Sequence, residues 1–527
     1  MNRKAAAILV LLFAVLMSLP WLVPHMGWLA LVGFVPLLCL DRIARDFSEK
    51  KFFLWYWGAF ILWNAATTFW VCNATVGGGI FAVLGNSFQM AVIWALFRFG
   101  KKKFEGIIPY IFLATAWIAW ERFYFSAQIS WPWLTLGNAF AGSISLVQWY
   151  EITGTLGGSL WIWTVNLGIF GIMTALSDGR WAGWKPVRKI SAAAAAILVI
   201  LGPTAASLIR YATFNPVPEG KVDVVIAQPD FDPYQKFQSL SQSEQNEVLL
   251  RLFDSAKTDS ALLIAPETFT GDIFLNEFES GRTVTNLRAF LAEHPGNEIL
   301  FGATTYDVFH QNSAPSILAR EFGSGAWYES HNSAILLAQD REPDIFHKSK
   351  LVVGVESTPF PKLFVPLDNL LGGVMGRCIG QQEISLLNYR DSIPVGCAVC
   401  YESVFGEYCT GYVRKGAQLM TVITNDAWWG DTPGYRQHLR YSSLRAVELR
   451  RDIARCANTG ISALISSRGD ILESTGWWQE DILEGSVNLY STLTPFARYG
   501  DVAGRGCTFT FLLLLALLIV RLLTRKD

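Results

Sequence analysis

Charge is what this chain has least of. Only 17% of its 527 residues are Asp, Glu, Lys or Arg, and 43 basic residues nearly cancel 44 acidic ones. So even a balance leaves no electrostatic footprint for nucleic acid or another polyanion. Histidine is scarce too: there are six, with no H-x-x-x-H pair, so the usual helical metal grip is missing. The eight cysteines (Cys39, Cys72, Cys378, Cys397, Cys400, Cys409, Cys456 and Cys507) fit no zinc-module spacing. Cys397 and Cys400 form a C-x-x-C, but on a strand positions i and i+3 face opposite ways, which argues against a redox pair. Neither a metal nor a cofactor is expected. What fills the chain instead is apolar: 51% hydrophobic residues, with 21 Trp and 35 Phe.

The apolar residues are grouped. Seven segments precede residue 210, at roughly 5–23, 24–40, 52–71, 78–97, 106–124, 155–176 and 190–209, and an eighth runs from Cys507 to Leu523. Most approach the ~20 residues that cross a bilayer; the second is short, and Pro109 and Pro203 are candidate kinks. The first resembles a signal peptide, with Arg3-Lys4 before an apolar run. It lacks a convincing cleavage site and more spans follow, so it is read as retained. Basic residues fall on alternate loops: Arg3/Lys4; Arg42, Arg45, Lys50 and Lys51; Arg98 with Lys101–Lys103; Arg180, Lys185, Arg188 and Lys189. By the positive-inside rule those loops are cytoplasmic, as is the Arg525-Lys526 tail. The expected division is 1–210 as a seven-span region, 211–505 as an outward domain, and 506–527 as a last span and tail. In a bacterium this means a multi-pass protein of the cytoplasmic (inner) membrane, with its domain on the periplasmic side. The outward loop from Glu121 through Ser130-Trp-Pro-Trp-Leu134 to Asn138 is rich in Trp and Tyr. It reads as an interfacial belt or as a platform admitting lipid sideways.

From Lys221 short apolar strands alternate with amphipathic helices, the pattern of a layered α/β domain. Expected strands are Val222–Ala227, Ala261–Ala265, Glu298–Thr304, Ser333–Ala338, Val395–Val399, Leu419–Thr424 and Ile461–Ser466. Expected helices are Ser241–Ala256, Thr283–Glu293, Ser403–Arg414 and Tyr435–Cys456.

Three chemically useful residues share one context. Cys400 ends the strand-like run Ile393–Val399 and precedes a helix, whose first free N–H groups favour a thiolate. Glu267 follows Leu262-Leu-Ile-Ala-Pro266, and Lys348 follows another extended run in Phe346-His-Lys-Ser-Lys-Leu-Val352. Open α/β sheets collect their chemistry at strand carboxyl ends. Together the three supply a base for the thiol proton (Glu267), a cation for a developing oxyanion (Lys348) and a nucleophile that forms a thioester (Cys400). Taken singly, each also reads as something ordinary: Cys400 as core packing, Glu267 as a helix-start acid, Lys348 as a solvated partner of Lys350.

The set Ala265-Pro-Glu267, Lys348-x-x-Leu-Val352 and Cys400-Tyr-Glu402 resembles the Glu-Lys-Cys triad of the nitrilase, or carbon–nitrogen hydrolase, superfamily. With seven spans before such a domain and one after it, the whole chain resembles the apolipoprotein N-acyltransferase family. Further motifs agree: Ser130-Trp-Pro-Trp-Leu134, His331-Asn-Ser-Ala334, Thr424-Asn-Asp-Ala-Trp-Trp-Gly430, Gln437-His438, Arg445-Ala-Val-Glu448 and Ala457-Asn-Thr-Gly-Ile461. The resemblance implies an α-helical transmembrane bundle carrying an αββα sandwich. It implies transfer of an sn-1 acyl chain from a phospholipid, typically phosphatidylethanolamine, through a Cys400 thioester to the α-amino group of a diacylglyceryl-cysteine at the start of an apolipoprotein. It assigns Glu267 as base, Lys348 as oxyanion stabiliser, Glu356 as a second active-site acid, and Tyr401 and Glu402 as supports after the nucleophile. Asn425 and Trp428 read equally as substrate contacts or strand-end supports. A monomer is expected. Two stretches depart from the family pattern. Leu351-Val-Val-Gly-Val-Glu356 stands where the family has Leu-Val-Pro-Phe-Gly-Glu, and Asp230–Phe237 offers Phe or Tyr where a Trp is usual.

The same triad also suits a membrane-tethered amidase acting on small amides. A third reading is a catalytically idle lipid-binding scaffold, and loss of a triad member, which is not seen, would favour it. A coupled transporter is disfavoured by the lack of acidic residues at mid-membrane positions. Phe360-Pro-Lys-Leu-Phe-Val-Pro366 and Leu370-Leu-Gly-Gly-Val-Met375 read either as a lid against water or as simple packing.

Overall fold

The computed structural model describes residues 3–44, 49–233, 236, 240–323 and 325–524. Arg45, Tyr234, Gln235, Phe237, Arg525 and Lys526 lie outside the described residues. The chain forms two compact units, one of Met1–Ala127, Trp131–Phe214 and Tyr499–Asp527, the other of Gln128–Ser130 and Asn215–Arg498.

The first unit is helical. Among the described residues, five of its helices, Arg3–Leu22, Val76–Lys101, Tyr150–Ser177, Pro186–Thr213 and Val502–Thr524, are long and apolar enough to cross a membrane. The other apolar segments form helices Glu49–Thr68 and Ile108–Tyr124 and, over 24–40, short pieces at Gly27–Leu29, Ala30–Gly33 and Val35–Ile43. Large aromatics fill the interior: Phe34 packs against Trp63, Trp94, Trp117 and Trp163. Ion pairs gather the loops between helices. Asp41 pairs with Arg98 and Lys101, Glu49 with Arg98 and Lys102, and Arg42 with Asp178. Arg521, near the end of the last helix, donates to the Lys103 carbonyl at 2.6 Å. Basic residues from separate loops and from the last helix thus meet at one end of the bundle.

The second unit is a sandwich of two sheets. In chain order its strands are Gly220–Gln228 (β1), Leu262–Ile264 (β2), Thr270–Phe274 (β3), Glu298–His310 (β4), Arg320–Gly323 (β5), Ala326–Leu337 (β6) and Asp344–His347 (β7). Then come Leu387–Tyr389 (β8), Ile393–Val399 (β9), Leu419–Thr424 (β10), Ile453–Ala457 (β11), Ala463–Ile465 (β12), Ile471–Ser474 (β13) and Asp481–Leu489 (β14). One sheet runs β14-β1-β2-β4-β6-β5, with β3 on β4 and β7 on β6; the other runs β13-β12-β11-β10-β9-β8. β9, β10 and β11 are parallel, so their carboxyl ends lie side by side. β1 faces β11 across the sandwich, helices Gln242–Asp254 and Arg282–Glu293 cover the first sheet, and Gly406–Arg414 and Pro433–Leu449 cover the second. The layers are therefore α, β, β and α. Leu249, Phe253, Leu287 and Leu291 pack on Val225, Leu263, Ile299 and Phe301, all buried. Each such side chain contributes about 1.5–3 kcal/mol by leaving water.

Two expected helices change. The Ser403–Arg414 stretch opens as a 3₁₀ turn, Cys400–Val404, with the α-helix beginning only at Gly406. The expected Tyr435–Cys456 helix stops at Leu449, because Arg450 turns left-handed (φ 51°), and Ile453–Ala457 becomes β11. Everything from Leu444 to Ala457 is buried, so the apolar spacing there does not separate helix from strand.

Close packing in the first sheet centres on Gly302. A Cβ there would stand 2.5 Å from Glu267 Cα and 2.7 Å from the Pro266 oxygen, whereas a Cβ on Gly271 would meet nothing within 4 Å. Gly302→Ala is therefore expected to destabilise the domain by about 1–3 kcal/mol. Gly271→Ala should leave the melting temperature nearly unchanged, and thermal denaturation of the two variants side by side checks this.

Candidate active site

The site begins with a lysine buried between carboxylates. Lys348 directly follows β7, and its backbone N–H donates to the Asn332 carbonyl of β6 at 2.7 Å. Its side chain is 1% exposed, so it is not a solvated lysine. Nζ donates to Glu267 Oε1 and to Glu356 Oε1, each at 2.9 Å. Burial alone would push the ammonium down, but the Glu267 and Glu356 charges outweigh it and hold Lys348 well above its ordinary value. Asn332 Nδ2 donates to the same two oxygens, at 2.8 Å and 2.7 Å. Glu267 Oε2 accepts the Asn425 backbone N–H at 3.2 Å, at the carboxyl end of β10. The carboxylate is thus aimed from the first sheet towards strand ends of the second.

Glu356 reaches Lys348 although its loop departs from the family pattern. Gly354 takes φ +83°, a left-handed turn that suits glycine. Glu356 N–H then bonds the Val352 carbonyl at 2.8 Å, and Glu356 Oε2 accepts the Val352 N–H at 2.7 Å. The loop closes on itself and points the carboxylate back at Lys348. Gly376 backs it closely: a Cβ there would meet the Val355 oxygen at 2.0 Å.

Cys400 directly follows β9 in a left-handed conformation, φ 51°, which a non-glycine residue adopts only when its surroundings hold it there. Burial and then the Glu267 charge push its thiol well above the ordinary value, while Lys348 and a hydrogen bond with the Thr424 side chain pull it back. At rest the sulfur therefore keeps its proton, with a carboxylate near enough to act on it. Glu402 lies beneath this turn and is fully buried. Its Oε1 accepts the N–H groups of Ser349 and Lys350 and the Tyr408 hydroxyl, at 2.7, 3.1 and 2.9 Å. Its Oε2 accepts the Val399 N–H at 2.9 Å and the Tyr412 hydroxyl at 3.3 Å. Glu402 therefore ties the segment after Lys348 to the segment before Cys400. Tyr401 is buried, and its hydroxyl donates to the Ser130 carbonyl at 3.0 Å.

Asn425 and Trp428 fall in different surroundings. Asn425 is buried and its side-chain oxygen accepts from Asn458 at 3.2 Å, so it braces the neighbouring strand ends. Trp428 lies half-buried on the turn Asp426–Trp429. The sequence motif around His331 contains Asn332 but gives it no role; the structure shows its amide joining the two acids. A polar residue inside the apolar end of a long strand was the available signal. Lys236 is also buried close by and donates to the Thr268 carbonyl; burial pushes its ammonium down to about 7, against the pull of Glu267. A third group, Cys400, Asp426 and His438, brings one ligand atom from each to within 4.8 Å of the others. Asp426 is already held by Arg455, His438 and Thr424, and both His438 ring nitrogens have partners, so these groups are committed to one another. A metal ion there would also meet the Arg455 guanidinium.

Comparison with known proteins follows the same division of the chain. Residues 13–168 match the family profile described as the apolipoprotein N-acyltransferase N-terminal domain, and residues 311–493 match that of carbon-nitrogen hydrolase. Lys348, Glu356 and Cys400 lie inside the second match, and Glu267 precedes it. An apolipoprotein N-acyltransferase from Chlorobaculum tepidum is 28% identical over 92% of this chain and 91% of its own length. One from Geobacter metallireducens is 28% identical over 95% of this chain and 92% of its own, and one from Pasteurella multocida is 23% identical over 92% and 90%. Two domain types in this order, matched together along nearly the full length of these relatives, place the chain in the apolipoprotein N-acyltransferase family.

Proposed function

We propose that this chain N-acylates lipoproteins, using Cys400 as nucleophile, Glu267 as base and Lys348 as oxyanion stabiliser. The observation that carries the assignment is the buried Lys348 ammonium held at 2.9 Å from both Glu267 and Glu356, with the Cys400 turn in reach of their charges. Glu267 takes the thiol proton as Sγ attacks the sn-1 ester carbonyl of a phospholipid. An ammonium has three N–H donors, and two are engaged by carboxylates; the third is left for the oxyanion. Collapse breaks the ester C–O bond, and Glu267 returns the proton to the departing lysophospholipid. The neutral α-amino group of a diacylglyceryl-cysteine then attacks the thioester carbonyl. Its proton passes to Glu267, the C–S bond breaks, and an amide remains with the thiol restored. Glu356 keeps Lys348 charged and in place throughout.

The same reading gives the bundle eight spans and puts the sandwich on the periplasmic side of a bacterial inner membrane. The gathering of Arg42, Arg98, Lys101, Lys102 and Arg521 at one end of the bundle supports a common cytoplasmic side for their loops. Both substrates carry chains anchored in the outer leaflet, so a membrane-held site spares their extraction into water.

Incubation with phospholipid radiolabelled in its sn-1 chain, without acceptor, tests the mechanism. A hydroxylamine-labile acyl group on Cys400, passed on when a diacylglyceryl-cysteine peptide is added and absent from Cys400→Ala, is the expected result. An unlabelled Cys400 together with ammonia release from small amides would replace acyl transfer by amide hydrolysis. Glu267→Gln is expected to slow thioester formation by about 10²–10⁴, and Lys348→Met by about 10²–10³, both read by the same label in single-turnover assays. For sidedness, Glu321→Cys in intact spheroplasts should react with a membrane-impermeant maleimide and Lys50→Cys should not; the opposite pattern would invert the orientation.

A further inference from the structure

Outside the sandwich, two long apolar helices do not close on one another. Helix Tyr150–Ser177, which breaks at Gly154 (φ 62°), and helix Pro186–Thr213 are both long and apolar enough to cross a membrane. Of the described residues of the second helix, only Ser207 is buried. Polar contacts hold it instead, at two levels. Pro203 has no N–H, so the Val199 carbonyl four residues back loses its helical donor. Trp161 Nε1, from the first helix, donates to that carbonyl at 2.7 Å. Two turns on, Ser207 Oγ accepts the Gln148 N–H at 2.6 Å and donates to the Ser145 carbonyl at 2.8 Å. Arg210 Nε and Nη2 then donate to Glu151 Oε1 and Oε2 at 2.8 and 3.1 Å.

Val199 and Ser207 are about 12 Å apart along their helix. Between these levels lies a groove of about 460 Å³, lined by Trp149, Leu160, Trp161, Leu198, Pro203 and Ala206 among others. Sites for small ligands commonly enclose roughly 300–1,000 Å³. The Trp149 and Trp161 rings meet edge to face, 5.8 Å between centroids. At Gly202, also in the wall, a Cβ would meet within 4 Å only the Leu198 side chain of its own helix, at 3.5 Å. Helix Tyr150–Ser177 therefore does not cover the glycine.

Lipid tails are as apolar as leucine, so in a bilayer only packing and polar bonds draw two such helices together. Here the polar bonds set the gap, and the side chains do not fill it. Leu160 and Leu198 in the walls are exposed, so the groove is open to whatever surrounds the bundle. One turn beyond Ala206, on the same face, Arg210 is 43% exposed. It spends Nε and Nη2 on Glu151 and retains Nη1 as a donor. The pair has no net charge, which matches a headgroup that itself carries one phosphate and one ammonium.

We propose that this groove holds one acyl chain of a zwitterionic phospholipid with its phosphate at Arg210, a reading that rests on both helices crossing the bilayer. None of these residues takes part in the acyl-transfer steps, so this lipid is a ligand of the bundle in its own right.

Photocrosslinking of the full-length protein tests it, in nanodiscs of phosphatidylglycerol holding a trace of phosphatidylethanolamine with a diazirine on its sn-2 chain. Peptide mass spectrometry is expected to find the label on residues 157–164 and 198–206. Unlabelled phosphatidylethanolamine should displace it, and diacylglycerol, which lacks the phosphate, should displace it less. Gly202→Phe fills the groove and is expected to lose this label, while label on the exposed Ile8 and Leu11 of helix Arg3–Leu22 stays. Arg210→Gln should erase the difference between the two competitors. Label spread alike over the exposed faces of all the long helices, undiminished by either competitor, would mean surrounding lipid only and would overturn the proposal. Equal displacement by diacylglycerol in the unmodified protein would overturn the place given to Arg210. Label on no helix at all would refute the bilayer reading, and the groove with it. Should Gly202→Phe not fold, the competition in the unmodified protein decides alone.

Discussion

An ammonium enclosed by two carboxylates is the constraint on which the candidate site depends. Removing one partner of a buried ion pair typically costs about 3–5 kcal/mol, because an uncompensated charge stays behind. Here the arrangement is a triad of charges, Glu267, Lys348 and Glu356, with the Asn332 amide bonded to both acids. Lys348 cannot leave without setting two acids against each other, and neither acid can leave without loosening the lysine. The arrangement therefore satisfies all of these groups at once, and the loop carrying Glu356 is folded around that requirement.

Much of this was legible in the sequence, and for a physical reason. Glu267, Lys348 and Cys400 each end a strand or strand-like run, and strand carboxyl ends are where layered α/β domains expose reactive groups. The apolar runs of β1, β2, β9 and β10 are buried on both faces, so their continuous hydrophobicity marks them out. Two strands carry no such mark: β13 is exposed along its whole length, and β8 alternates over only three residues. The end of the Pro433–Leu449 helix was not legible, since Arg445, Arg451 and Arg455 are buried where charge normally signals a surface. Their guanidinium groups are spent on backbone carbonyls and acids far away in sequence, such as Ala417 and Asp426. A pattern of spacing along the chain does not contain those pairings.

The cluster behind Cys400 was hidden in the same way. Gln437-His438 stands out as a short motif, but nothing local pairs it with Asp426 or Arg455. Parallel strands β10 and β11 bring those two together, and the helix crossing above supplies the histidine. The departure at Val353-Gly354-Val355 has the opposite lesson. The loop accommodates different residues because the left-handed turn it needs is met by Gly354.

Glu402 joins the segment after β7 to the end of β9, and those strands belong to different sheets. The placing of Cys400 against Lys348 is thus set by how two sheets are bolted together, much as the gap of a vice is set by its frame. The jaws can be recut without moving the frame. Apolar surface such as Leu363, Leu370 and Val374 is exposed around the helix Pro361–Leu370, which contributes no member of the charged triad. Changes on that helix leave the pairings of Glu267, Lys348 and Glu356 untouched, so a fold of this construction lets an exposed apolar surface vary while the buried charges are maintained.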